Sequence, residues 1–293
     1  MVSAVPGHQH HPLTGILLTL IAMSLFSCQD ALIKHLLADY SVFQILFMRS
    51  FVIVIPLSCI LFYRFGSQGF RTRRVLDHFK RVSFNLLAFL SFYYSLTRID
   101  LGQATAIAMS APLITTVLSG PLLGERATGR QKSIVAVGFI GVLLVIQPFT
   151  GSFDPMGIVA VMIGALMFSL LVIQTRKMTQ TESTELMVIF AALTILCLSG
   201  VLMPVLWVTP VGQDWFLLFG VGFISLFAQL CIVHAYRFAP VYILAPFEYV
   251  TIPWALFLGW VIFAEIPTVI MLFGVAIIIA CGLGVIQAEH RKA

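Results

Sequence analysis

The feature that most restricts this fold is a succession of apolar stretches, each close to the length that crosses a bilayer. A hydrocarbon core of about 30 Å is spanned by about 20 helical residues. Dividing the chain where charges, glycine or proline interrupt such runs gives ten segments: 13–34, 43–63, 81–98, 102–123, 131–149, 156–175, 186–207, 214–236, 241–263 and 267–287. Barrel strands do not fit, because they need about 9–11 residues of alternating polarity. Composition agrees, with 60% of the 293 residues hydrophobic and 10% charged, where soluble domains carry about a quarter charged residues. The expectation is an all-α integral membrane protein with ten transmembrane helices.

Basic residues orient such a bundle, since loops rich in Lys and Arg stay in the cytoplasm. With the N-terminus inside, inner loops take 14 of the 17 basic residues, all but Lys34, Arg49 and Arg98. Both termini are therefore expected in the cytoplasm of a multi-pass inner-membrane protein. The net charge of +5 needs no nucleic acid as partner, because an excess of basic residues on one face is what this topology demands. The opening "MVSAVPGHQHHP" lacks a basic leader region and is expected to remain. Residues 1–12 and 288–293 read as cytoplasmic tails, the first of them disordered. The cluster His8, His10 and His11 in that tail is weak evidence for a metal. The five cysteines lie in apolar stretches without CxxC spacing, which argues against a metal site or a disulfide framework.

The two halves repeat. "GILLTLIAMSLFS" (15–27) and "GIVAVMIGALMFS" (157–169) share a glycine followed by Phe-Ser eleven residues later, and their helices end in Lys34-His35 and Arg176-Lys177. "LLGE" ending at Glu125 and "IFAE" ending at Glu265 are 140 residues apart, as are "VIQ" at 145–147 and 285–287. Three matches at nearly constant offset argue for duplication. The repeats are 13–149 and 150–287. Five spans is an odd number, so the second copy enters from the opposite side and the repeats are inverted, an architecture suited to alternating access.

With this 5+5 repeat, Lys34 and Arg49 within "FSCQDALIKHLLADYSVFQILFMRS", and the Glu closing "LLGERAT" and "IFAEIPT", the chain resembles the drug/metabolite transporter superfamily, in its ten-helix EamA-like branch. The likeness covers nearly the whole length. It implies a small-molecule carrier of metabolites or amino acids without an ATP-binding domain, and a recurring, structural role for Glu125 and Glu265. The "QDALIKHL" opening looks like the S-adenosylmethionine or riboflavin uptake branch. Aromatic amino-acid exporters share the same frame, so the likeness selects no substrate.

A charge near the bilayer centre is costly, so each should face protein or water. Asp30 and Lys34 are four apart on one helix face, and Arg49 lies at similar depth in the next segment. Two readings stay open for this cluster, a structural ion pair locking two helices and a contribution to the cargo site. Glu248 stands in "LAPFEYVTIPW" without a basic neighbour on its helix. Pro246 and Pro253 each remove a backbone donor there. Freed carbonyls persist at membrane depth only where they face protein or water. A polar cavity reached by Glu248 is one reading, and a buried protonated acid the other. Segment four, "GQATAIAMSAPLITT", has small side chains and a further break at Pro112. Tyr93, Tyr94, Phe168, Tyr236 and Tyr249, with Ser110 and Gln229, are candidates to line a substrate pocket of mixed character.

Taken together, these residues point to a secondary transporter of a small organic metabolite, an amino acid or related amphipathic compound, working by alternating access. The alternative is an intramembrane enzyme acting on a lipid-soluble substrate, but HExxH, GxSxG and P-loop signatures are missing. No cofactor and no metal are expected, and no oligomer is required. The partners foreseen are the substrate, membrane lipid and protons, the last through Glu248 or Asp30.

Overall fold

A computed structural model of the chain describes residues 12–66, 72, 74–123, 129–147, 154–178, 182, 184–238, 244 and 247–290. Its principal helices are α1 (Pro12–Leu36), α2 (Val42–Phe65), α3 (Val75–Leu96), α4 (Leu101–Ala108), α5 (Ala111–Leu123) and α6 (Gly129–Ile146). They continue with α7 (Pro155–Met178), α8 (Thr184–Leu206), α9 (Asp214–Phe238), α10 (Thr251–Phe263) and α11 (Val269–His290). No strand occurs among the described residues. Among the described residues, six helical stretches are long and apolar enough to cross a bilayer: Leu13–Leu36, Val42–Ile60, Leu101–Leu118, Pro155–Thr175, Leu186–Leu206 and Asp214–Ile232. The protein is therefore a multi-pass membrane protein, its spanning segments helical because a helix satisfies its own main chain where lipid offers no partner.

The fourth segment is not one continuous helix. Its ladder is interrupted at Met109 and Ser110, between α4 and α5. Pro112 has no N–H to offer Ala108, so the ladder cannot run through this point. The chain turns instead, with Met109 N–H bonded to Thr105 O (2.9 Å) and Leu113 N–H to Ser110 O (2.9 Å). The same event recurs at Tyr249 and Val250, ahead of α10. There Pro253 has no donor for Tyr249, and Ile252 N–H reaches Tyr249 O at 3.1 Å. Both prolines occupy the first turn of the helix that follows, where a missing N–H costs nothing. The breaks are 249 − 109 = 140 residues apart. Pro246, the other expected break, lies outside the described residues, as do Glu125 and the His8, His10, His11 tail.

Helix packing has a matched pattern. α1 packs against α9 and α3 against α7; α2 meets α8, α6 meets α11, and α4 meets α10. The α6–α11 crossing is glycine-mediated: a Cβ on Gly274 would stand 2.7 Å from Gly141 O, and one on Gly141 would stand 3.0 Å from Gly274 O. Small residues let membrane helices approach to backbone contact, which adds dispersion energy where lipid offers no hydrophobic drive. The connections are also tied. Tyr40, after α1, donates to Asp214 Oδ2 at the start of α9 (2.5 Å). That hydrogen bond raises the Tyr40 pKa above its ordinary value. Thr72, before α3, donates to Glu182 Oε1 after α7 (2.9 Å). Tyr40 and Glu182 are 182 − 40 = 142 residues apart.

Candidate functional site

Three polar features interrupt the apolar interior. The first is a network joining α1, α2, α3 and α9. Arg49 lies seven residues into α2, about 10 Å from its start, and is 7% exposed. Its Nε donates to Ser225 Oγ (3.0 Å) and its Nη1 to Tyr93 Oη (3.2 Å). Ser225 in turn donates to Gln29 Oε1, and Gln29 Nε2 reaches Tyr93 Oη and Asp30 Oδ1, each at 3.4 Å. The Arg49 guanidinium stands over the Phe89 ring, 4.5 Å from its centroid, and Phe89 stacks on Tyr93 at 5.6 Å. A charge that deep is tolerated because two hydroxyl oxygens accept from it and a ring face lies against it.

The second feature is the pair of helix breaks. Buried hydroxyls gather in and beside them: Ser110 is fully enclosed, Thr105 is one turn earlier, and Tyr249 sits in the second break. Among the described residues their oxygens have no hydrogen-bond partner. A buried hydroxyl without a partner costs about 1–3 kcal/mol, so three of them mark a place where stability has been given up. The Tyr249 ring lies directly on α11, where a Cβ at Gly282 would fall 1.8 Å from Tyr249 Oη.

The third feature lies where α10 ends. Ala264 adopts the left-handed conformation (φ 56°, ψ 28°), its N–H returning to Trp260 O (3.1 Å), and Glu265 N–H bonds Gly259 O (3.1 Å). This left-handed stop folds Glu265 back over the helix, onto Gly259, where any Cβ would meet Oε2 at 2.8 Å. Glu265 Oε2 accepts the Leu101 N–H at 2.8 Å, capping α4, whose first N–H groups lack helical partners. Its Oε1 forms an ion pair with Lys34 Nζ, and Lys34 also donates to Ile99 O (2.8 Å). A crevice with about 10 Å³ of room for water beside this clip is lined by Asp100, Gly102, Leu256, Gly259, Glu265, Pro267 and Met271. Ligand pockets run from about 300 Å³ upward, so the crevice is too small for a metabolite.

The structure thus divides the expected cluster of Asp30, Lys34 and Arg49. Lys34 does not take Asp30 as its partner but pairs with Glu265, because Glu265 can serve a lysine and a helix N-terminus at once. Asp30 and Arg49 belong to the first network. Tyr93 is 1% exposed within it, whereas Tyr94 is 39% and Phe168 49% exposed. Glu248 and Gln229 are partly buried, and the Glu248 carbonyl accepts from Thr251 Oγ1 (2.9 Å). The side chain of Tyr236 lies outside the described residues. Gln29, Ser225, Thr105 and Phe89 were not singled out from sequence. Gln29 and Ser225 carried one available signal, a polar side chain on the apolar interior of a spanning segment. Among the described residues no group of His, Cys, Asp and Glu is placed to hold a metal.

The model of the EamA-like transporter family matches the chain twice, over residues 13–147 and 155–286. The chain is 28% identical over 279 residues to an S-adenosylmethionine uptake transporter of Rickettsia felis, covering 95% of this chain and 94% of the relative. It is 28% identical over 296 residues to a riboflavin transporter of Vibrio cholerae, covering 97% of each. A pseudopaline exporter of Pseudomonas aeruginosa is 26% identical over 274 residues, covering 92% of this chain and 94% of the relative. A solved crystal structure superposes with a TM-score of 0.65 over 96% of this chain and 99% of its own, at 16% identity, a likeness of fold.

Proposed function

Since the chain belongs to the EamA-like transporter family of the drug/metabolite transporter superfamily, we propose that it is a secondary transporter working by alternating access across the cytoplasmic membrane. Its cargo on this reading is a small organic metabolite, an amino acid or related amphipathic compound of the size that its relatives' names describe, S-adenosylmethionine or riboflavin. The proposed topology has ten spans in two inverted repeats, 13–149 and 150–287, with both termini in the cytoplasm.

The observation that carries this reading is the pair of helix breaks at 109–110 and 249–250, with unpartnered hydroxyls at Thr105, Ser110 and Tyr249. Broken helices at equivalent points of two repeats are what carriers use to present main-chain groups and side chains to cargo near the midplane. The matched packing of α1 on α9 and α3 on α7 supports the same two-fold relation. Glu248, next to the second break, is the proposed acid of the site. In this topology the Lys34–Glu265 clip faces the outside and holds that side shut.

Uptake into proteoliposomes of amino acids, S-adenosylmethionine, riboflavin and amphipathic cations, with and without a pH gradient, tests the function. Saturable flux of one class is expected, and its response to the gradient decides whether protons are coupled. Flux of none of these classes would overturn the reading. Reporters fused at Ala293 and in the 64–80 loop should report cytoplasm, and one near Asp154 the outside; matching signals at Ala293 and Asp154 would rule out ten spans.

A further inference from the structure

We infer that Asp30 and Arg49 form the two poles of a recognition site for a zwitterionic α-amino acid head group, with Arg49 receiving the carboxylate and Asp30 the ammonium. This rests on the reading of the chain as a metabolite carrier and names the chemistry of its cargo.

Two opposite charges inside a membrane protein gain most by closing to contact, since attraction rises steeply where water is excluded. Lys34 and Glu265 do close, as an ion pair. Asp30 and Arg49 do not: among the described residues no ion pair joins them. Neutral side chains separate them instead. Gln29 touches Asp30 on one side and Tyr93 on the other, both at 3.4 Å. Tyr93 and Ser225 in turn accept from Arg49 at 3.2 and 3.0 Å.

Each pole also keeps unused bonding capacity. Arg49 uses Nε and Nη1, and Nη2 takes no partner among the described residues. A guanidinium offers five donors in a planar fork that matches a carboxylate. The Asp30 carboxylate has about four acceptor positions and, among the described residues, receives one long contact, from Gln29. Fixed neutral relays thus hold a donor fork and a carboxylate apart, and a ligand carrying both charges completes both at once. Phe89, lying under the guanidinium and stacked on Tyr93, holds the fork in place and offers an apolar wall to the rest of such a ligand.

The network also reaches the elements that a carrier would have to move. It ties α3 through Tyr93 to α1, α2 and α9 through Gln29, Arg49 and Ser225. A carboxylate that took over the Arg49 fork would compete with the Tyr93 contact and loosen that tie.

The test uses the full-length protein in detergent, with thermal stabilisation and competition binding as readouts. Probes are the proteinogenic amino acids and S-adenosylmethionine, followed by the carboxamide and N-acetyl derivatives of the best-bound zwitterion, with riboflavin as an uncharged comparison. Each derivative is expected to bind at least tenfold more weakly than its parent. Asp30→Asn should erase the penalty for N-acetylation, and Arg49→Lys should weaken the parent at least tenfold with little change for riboflavin. Equal affinity for parent and blocked derivatives, or no binding by any zwitterion, overturns the inference. If riboflavin or a cation is then still transported, the carrier reading stands without it. The ligand series on the unmodified protein decides the matter even where a variant fails to fold.

Discussion

Lys34 and Glu265, 231 positions apart in the chain, form an ion pair that joins the end of α1 to the turn after α10. The same carboxylate caps α4 through Leu101 N–H, and the same ammonium holds Ile99 O. Three chain segments therefore meet at one pair of charges whose side chains are only 12% and 14% exposed. Lys34→Met leaves Glu265 with a single main-chain donor in a largely dry place. Breaking a buried pair by removing one partner costs about 3–5 kcal/mol, and residual exposure reduces that here to about 1–3 kcal/mol. Thermal unfolding in detergent should show the loss, and a double-mutant cycle with Glu265→Gln should return a coupling of at least about 1 kcal/mol. Additive effects would mean the pair contributes nothing as a pair.

The unpartnered hydroxyls separate stability from function. Tyr249→Phe and Ser110→Ala each remove a buried oxygen that has no partner among the described residues, so stability should hold within about 0.5 kcal/mol or rise. If these oxygens serve cargo, KM for the transported compound should increase several-fold in the same variants. A fall in stability with unchanged transport would place both residues in the scaffold.

Glycine positions on two helices give a packing test. Gly274→Ala drives a methyl group to 2.7 Å from Gly141 O at the α6–α11 crossing, and backbone there cannot yield cheaply. Overpacking of this kind costs about 1–3 kcal/mol. Gly220 on α9 has nothing within 4 Å of its would-be Cβ, and Gly220→Ala should be neutral or stabilising by up to about 1 kcal/mol through helix propensity. Equal effects at the two sites, read by thermal unfolding, would remove the close crossing as an explanation.

His78 predicts a pH response. It lies in the first turn of α3, ahead of the segment expected to span from residue 81, and is buried against Phe190, ring centroids 4.6 Å apart. Burial pushes its pKa below the ordinary 6.5, opposed by Glu182, whose Oε2 is 3.7 Å from Nε2; nearby Arg81 adds to the lowering and Asp77 opposes it. A lowered histidine pKa means that the unfolded chain takes up the proton first as pH falls. Its contribution to stability is therefore present above 6.5 and is lost on acidification through that value. Melting temperature should decline from pH 7 to about 5.5, and His78→Gln should flatten the decline. An unchanged slope in the variant would assign it to other groups.

Much of the architecture was legible because it depends on one segment at a time. A helix in lipid must satisfy its own main chain and be about 20 residues long, so run length and interrupting residues located α1, α2, α7, α8 and α9 to within a few residues. α3 starts six residues before the expected 81, since its first two turns carry Asp77, His78 and Lys80, polar groups that end an apolar run without ending a helix. Pro112 and Pro253 likewise announced the breaks, because a missing donor is a local fact.

The side-chain partnerships were another matter. Helical spacing put Lys34 beside Asp30, four residues away on one face, yet Lys34 binds Glu265. Gln29, Ser225 and Phe89 were not picked out, although they hold Arg49 together with Tyr93. Sequence by itself determined the long apolar helices, a property of hydrophobic length and of local main-chain donors. Which buried charge meets which partner was decided only by the tertiary structure, because that depends on which helices come within about 3 Å of one another, and side chains far apart in the chain compete there for the same donor or acceptor.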